Sequence, residues 1–340
     1  MAGRNQEVPE PLEALIARGM DLLGVGAGDP PPITARDGQT RADWEAEVRL
    51  IRARHDGAAL SVARFLARES AEILGASETD PTVSSEWSRL SDPERAVDLR
   101  IYRPRLAGPL PAILVVHGGA YWMGGGAAGW EINDPLCRLL AAEVGAVVIN
   151  VDHRLAPEYR FPAPSDDVLA AFDETVERAT EWNIDPTRIA LLGMSSGGNL
   201  VASATHTAHD RGGVQPAALV LQTPSVDLSG DSARLADGDP NAAAVLRRIV
   251  ELYVGDTDPA DPRVSPGLRI DLTDLPPTLV VTAQFDPLAA DAAAFARRLD
   301  RAGVTVAHRS YPMTHTVALP EVARQLNSDN AAWLREVLAG

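Results

Sequence analysis

The sequence predicts an α/β fold in which a mostly parallel central sheet is flanked by helices and preceded by a helical segment. Three observations predict it. Short apolar runs occur at Ala112–Val116, Ala146–Val151, Ile189–Leu192, Leu219–Gln222 and Thr278–Thr282, with a further strand near Val304–His308. Runs of this length and character suit strands buried on both faces. Helical segments fall between most of them, at Asp134–Glu143, Ser165–Thr180, Asn199–His209 and Leu288–Ala302, and such alternation marks a parallel sheet. Residues from about Pro9 to Gly75 carry no strand signal.

In chain order, Leu12, Leu15, Ile16, Met20 and Leu23 fall at helical spacing, as do Trp44, Val48 and Ile51. A third helical run, Leu60 to Leu74, ends at Gly75, a C-cap residue type. Gly28-Asp29-Pro30-Pro31-Pro32 reads as a turn or extended linker. Val97–Tyr102 alternates apolar and polar residues, as a half-exposed antiparallel strand does. A longer polar stretch between Gln222 and Pro276 holds one helix at about Asn241–Tyr253, and Leu319–Leu338 reads as a closing helix. The expected division is an N-terminal helical cap segment at 1–85 and a main domain at 86–340, with about 223–275 as a second cap insertion. A plain helical extension is the alternative for the first segment.

With 340 residues, 45% of them hydrophobic, the chain can bury a globular core. Its net charge is −16, with acids and arginines interleaved. The absence of a basic stripe argues against nucleic-acid partners and anionic membrane docking. The sequence contains no lysine. That excludes a Ser–Lys dyad, a Schiff-base lysine and a P-loop lysine. One cysteine, Cys137, excludes an intramolecular disulfide and a Cys-rich zinc site, and reads as a small core residue in a helix. Met1–Glu7 leads into no apolar run, and Pro111–Val116 and Gly145–Val151 are too short to span a bilayer. A cytoplasmic location without integral membrane association is the expectation.

The residues with the clearest chemistry lie in Gly193-Met194-Ser195-Ser196-Gly197. A serine on a sharp turn between a buried strand and a helix is lifted clear of the sheet, and glycines flank it because side chains there would clash. In such sheets ligands bind beyond the carboxyl ends of the strands. Asp286 follows the Thr278–Thr282 strand and His315 follows the strand running to Ser310. The order Ser, Asp, His predicts a nucleophile, an orienting acid and a general base. Asp286 also suits a helix N-cap, since Asp-Pro-Leu opens a helix. His308 competes as base but falls inside its strand, where a partly exposed structural residue is expected.

Upstream, His117-Gly118-Gly119-Ala120-Tyr121-Trp122 closes a strand in a glycine-rich loop. The N–H groups of Gly118, Gly119 and Ser196 are the expected oxyanion donors. His117 reads as a structural residue holding the loop. Tyr121, Trp122 and Met194 are candidates for the substrate pocket, with plain packing as the alternative. His206 and His209 lie three apart on a helix without an evident third ligand, so a solvated face is expected and no metal. Gly24-Val25-Gly26-Ala27-Gly28 superficially matches a dinucleotide fingerprint but follows no strand. Asp291 reads as a solvated helical residue.

These blocks together resemble the hormone-sensitive-lipase-like group of α/β-hydrolases. His117-Gly118-Gly119-Ala120 is similar to the family's His-Gly-Gly-Gly loop, and Gly193–Asn199 to its Gly-Asp-Ser-Ala-Gly-Gly-Asn elbow. Val151–Glu158, continuing to Phe161-Pro162-Ala163, resembles a recognisable non-catalytic block, and Leu275-Pro276-Pro277 with Asp286-Pro287-Leu288 the acid block. The resemblance implies an α/β-hydrolase fold with a cap and hydrolysis of short- to medium-chain carboxylic esters. It implies no cofactor or metal, a small-molecule ester as partner, and a homodimer. Departures are Met194 for Asp, Ser196 for Ala, Ala120 for Gly, His153 for Tyr, and Thr316-Val317 for Gly-Phe after His315. Arg154 and Glu158 are expected to form an ion pair beneath the site. Two alternatives stay open: a ligand-binding protein on a hydrolase scaffold, and acyl transfer to an alcohol by the same residues.

Overall fold

In the computed structural model, which describes residues 7–23, 30–74, 82–230, 240–273 and 275–339, eight strands form one sheet. The strands are β1 Val83–Arg89, β2 Asp98–Pro104, β3 Leu110–Val116, β4 Val147–Asp152, β5 Ile184–Met194, β6 Ala218–Gln222, β7 Thr278–Phe285 and β8 Val306–Thr314. Their spatial order is β1-β2-β4-β3-β5-β6-β7-β8. The pairs β1/β2 and β2/β4 are antiparallel and every later pair is parallel. The described helices are α1 Glu10–Leu23, α2 Arg41–Leu74, α3 Gly126–Val144, α4 Ala163–Glu177, α5 Ser196–Asp210, α6 Pro240–Val254, α7 Ala289–Arg301 and α8 Pro320–Leu338.

The central strands carry continuous apolar runs because both faces are covered. On β3, Ala112, Leu114 and Val116 join the cluster with Val168, Phe172, Leu200 and Phe295 from α4, α5 and α7. Ile113 and Val115 join Cys137, Leu140, Leu326 and Leu334 from α3 and α8. The period of two distributes one strand between two cores. Cys137 is fully buried there, and burial pushes its thiol far above the ordinary range. A third, smaller cluster joins Trp122, Ala156 and Leu252 with Ile33, Ile51, Ala120, Met123 and Ile249. It brings the N-terminal segment and α6 against the glycine-rich loop. No described helix is long and apolar enough to cross a membrane.

Several elements differ from expectation. The second and third helical runs are one 34-residue helix, α2, which passes through Gly57 without interruption. The helix α3 begins at Gly126, ahead of Asp134, and continues through Pro135. Its N-terminal extension is apolar enough to bury Ala128, Gly129 and Asn133. The edge strand β1 carries no apolar alternation: only Val83 is buried among seven residues, so backbone pairing with β2 defines it. It crosses the 85/86 boundary drawn from the sequence. Gly75 and Gly24–Gly28 lie outside the described residues.

Three side chains also depart. Arg154 does not pair with Glu158. It grips fully buried Asp167 through Nε and Nη2 at 2.7–3.1 Å, while Glu158 takes Arg52 from α2 at 2.6 and 2.9 Å. His206 is buried, not solvated, because that face of α5 lies against the body of the fold; desolvation pushes its pKa down to about 3. Asp291 is only partly exposed on α7 and has an interaction partner, so it is more enclosed than a freely solvated residue.

Candidate active site

The turn from β5 to α5 places Ser195 at φ 53°, ψ −117°, a conformation that an L-residue holds only when its surroundings enforce it. The enforcement is visible in the flanking glycines. A methyl on Gly193 would lie 2.2 Å from Gly197 O, and one on Gly197 would lie 2.3 Å from Val116 O and 2.5 Å from His117 O. The backbone is pinned as well, since Ser195 N–H donates to Gln222 O at 2.9 Å. Asn199 on the first turn of α5 donates to both Ser225 O and Val264 O at 2.8 Å, tying the segment after β6 to the elbow.

His315 and Asp286 arrive at the ends of β8 and β7, which run further than their apolar cores suggested. Ser195 Oγ lies 2.8 Å from His315 Nε2, and His315 Nδ1 lies 2.8 Å from Asp286 Oδ2. The Asp286 side chain is wholly buried, while the His315 side chain is 29% exposed. The other Asp286 oxygen accepts the Leu288 N–H at 2.9 Å. An Asx turn and the histidine contact therefore sit on separate oxygens; the helix that follows is capped at Leu288 without a side-chain bond, so Asp286 is not the expected N-cap. The turn that carries His315 closes through Thr314: its N–H donates to Val317 O at 2.9 Å, and its Oγ1 accepts the Val317 N–H at 3.0 Å. Thr314 and Val317 thus form a tight turn without the family's glycine. His308 stays on the strand, exposed, with its Nε2 3.0 Å from Thr282 Oγ1.

The glycine-rich loop lies directly against the elbow. A methyl on Gly118 would meet Met194 O at 2.9 Å and Ser195 Cβ at 3.2 Å. Gly119 has φ +129°, and Ala120 and Tyr121 follow at 51° and 67°. Ser196 opens α5, where helix geometry leaves its N–H without an intrahelical partner. His117 stacks on His153 at 4.2 Å between ring centroids, and its Nδ1 lies 2.7 Å from Gly118 O. Burial, and His153 beside it, push its pKa down to about 3. The ring is therefore neutral near neutral pH, and its 3.8 Å approach to Asp152 is not an ion pair. Tyr121 and Trp122 are both buried: Tyr121 stacks on Tyr253 at 3.9 Å, and Trp122 makes a T-shaped contact with His55 at 4.7 Å between ring centroids. Met194 packs against the core cluster on the α3 and α8 face.

Arg52, His55 and Asp56 escaped the sequence reading. They lie within a charge-rich stretch of α2, where nothing in the residue pattern distinguishes them from a solvated helix face, yet all three reach the glycine-rich loop.

A serine elbow at the end of a central parallel strand, met by a histidine and an acid from two further strand ends, defines a hydrolase-type α/β site. Residues 113–319 match the family model described as alpha/beta hydrolase fold, and the chain belongs to that family. It is 34% identical over 239 residues to the carboxylic ester hydrolase LipN of Mycobacterium tuberculosis, covering 66% of this chain and 62% of that protein. It is 34% identical over 252 residues to the ethyl acetate hydrolase of Pseudomonas putida, covering 72% and 78%. The hyperthermophilic esterase from the archaeon Pyrobaculum calidifontis superposes with a TM-score of 0.74 at 28% identity, covering 87% of this chain and 95% of that one.

Proposed function

We propose that the protein is a serine carboxylesterase that hydrolyses short- to medium-chain acyl esters through an acyl-enzyme on Ser195. The observation that carries this reading is the unbroken contact from Ser195 Oγ through His315 to buried Asp286, at 2.8 Å per step. His315 Nε2 takes the hydroxyl proton as Ser195 Oγ attacks the ester carbonyl. The carbonyl oxygen becomes an oxyanion held by the N–H groups of Gly118, Gly119 and Ser196; removing one such donor typically costs about 3 kcal/mol. The imidazolium, stabilised by Asp286, returns the proton to the departing alkoxide. Water then repeats the sequence on the acyl-enzyme. The similarity to proteins named ester hydrolases supports the reaction class.

The same reading takes residues 1–85 and 223–275 as a cap over this site. The apolar cluster joining Ile33, Ile51, Ile249 and Leu252 to Ala120, Trp122 and Met123 supports it. Tyr121, Trp122 and Met194 then shape the pocket as packed wall residues. The test is a p-nitrophenyl ester series, acetate through palmitate, with wild type and Ser195→Ala side by side. The reading expects activity that falls with acyl length and is absent from the variant. Normal turnover by Ser195→Ala contradicts it.

A further inference from the structure

The loop Gly118–Gly124 is held in a conformation that its own residues disfavour. Ala120 and Tyr121 are consecutive L-residues at positive φ, between Gly119 at +129° and Gly124 at +89°. Such residues are strained and persist only where neighbours over-determine them. Local bonds contribute: Trp122 N–H and Met123 N–H both donate to Gly119 O, and Ala156 N–H donates to Tyr121 O. The remaining hold comes from outside, from helix α2.

Arg52 places its whole guanidinium behind the loop. Its Nε donates to Trp122 O at 2.6 Å and its Nη2 to Ala156 O at 2.8 Å, while Nη1 and Nη2 grip the Glu158 carboxylate. The Arg52 and Glu158 side chains are only 15% and 11% exposed. One turn along, Asp56 Oδ1 accepts the Gly124 N–H at 2.7 Å. That bond bears on the oxyanion donors directly, because Gly124 packs against the Gly118 carbonyl so closely that a methyl on Gly124 would lie 2.4 Å from it. Spacing of i and i+4 puts Arg52 and Asp56 on one face of α2, so a single helix holds the loop at both Trp122 and Gly124.

We propose that Arg52 and Asp56 are positioning residues that hold the Gly118 and Gly119 N–H groups on the oxyanion from helix α2. The proposal deepens the esterase reading and rests on it. Neither side chain touches the reacting atoms; both act through the Trp122–Gly124 backbone. Oxyanion stabilisation needs donors placed within a few tenths of an ångström. Slackening the loop therefore raises the barrier without weakening ground-state binding, and kcat falls while KM holds.

The test compares Asp56→Ala, Asp56→Asn and the double variant Arg52→Met/Glu158→Gln, the last designed to leave no buried charge unpaired. Each is assayed on p-nitrophenyl butyrate, with active sites titrated and melting temperature recorded. Inhibition by a trifluoromethyl ketone, which forms a tetrahedral oxyanion on the serine, supplies a second readout. Asp56→Ala and the double variant are expected to lose about 10- to 100-fold in kcat, a fraction of the loss for deleting a donor outright. KM should stay within about threefold, and ketone affinity should fall in step with kcat/KM. Asp56→Asn keeps an acceptor for the Gly124 N–H and should retain near wild-type kcat. Wild-type kcat in folded Asp56→Ala overturns the proposal, as does an Asp56→Asn loss equal to that of alanine. Loss confined to KM or to melting temperature also overturns it. If the double variant does not fold, the Asp56 pair decides, since alanine suits a helix interior. Ser195→Ala in the same series separates the two claims: full activity there removes the esterase reading itself, whereas an inactive Ser195→Ala beside a normal Asp56→Ala removes only the positioning role.

Discussion

Replacing Asp286 by asparagine exchanges one oxygen for an NH2 group and sets two hydrogen bonds against each other. One carboxylate oxygen accepts the Leu288 N–H at 2.9 Å, and the other faces His315 Nδ1 at 2.8 Å. An asparagine that keeps its oxygen on Leu288 turns its NH2 toward His315 Nδ1. The imidazole proton then moves to Nε2, 2.8 Å from Ser195 Oγ, and the base is lost. The flipped asparagine preserves the working tautomer but leaves the Leu288 N–H facing another donor, at a cost of about 1–3 kcal/mol. That difference alone lowers the competent population roughly 5- to 150-fold. Either orientation also removes the negative charge that stabilises the imidazolium, bringing the expected loss to about 10⁴ in kcat. Stopped-flow hydrolysis of p-nitrophenyl butyrate measures it, with melting temperature confirming the fold. A kcat within tenfold of wild type would mean that the orienting acid lies elsewhere and not at Asp286.

Gly57 lies exposed within uninterrupted α2, and a methyl added there would meet nothing within 4 Å, so Gly57→Ala should stabilise the protein by about 0.5–1 kcal/mol, read as a raised melting temperature. A lowered one would show that the helix breaks there. Buried His206 has a folded-state pKa near 3, below the ordinary 6.5. Between those values the unfolded chain binds the extra proton, so its contribution is complete above about pH 6.5 and is lost as pH falls toward 3. His206→Asn should therefore flatten the decline of melting temperature from pH 6.5 to pH 4; an unchanged slope would contradict the burial. Cys137, buried with its thiol pKa pushed up, should resist a disulfide exchange reagent in the native protein and react on unfolding. Rapid native labelling would place it nearer the surface.

Residue pattern carried the centre of the molecule better than its margins. The strands β3 to β7 each carry an apolar run because two helical layers cover them, and that signal survives without knowledge of the partners. The edge strand β1 is Val-Ser-Ser-Glu-Trp-Ser-Arg, solvated on most positions, and only its pairing with β2 makes it a strand. Gly57 weakened the helical signal in α2, but one exposed glycine costs too little to end a helix supported at both ends by buried Trp44, Val48 and Phe65. At the site, strand order and turn chemistry brought Ser195, Asp286 and His315 together, because each follows its own strand. Ion-pair partners were not legible. Arg154 and Glu158 are neighbours in sequence, yet each finds a better-placed partner, Asp167 on α4 and Arg52 on α2. Such choices depend on where helices cross the chain, which no local pattern encodes.

The claim that Ser195 is the nucleophile is tested most directly by intact-mass and peptide analysis after reaction with diethyl p-nitrophenyl phosphate. One diethylphosphoryl group per chain is expected on Ser195, appearing at the rate at which esterase activity disappears. Modification of Ser196 or another serine in step with inactivation, or full inactivation with Ser195 unmodified, would contradict it.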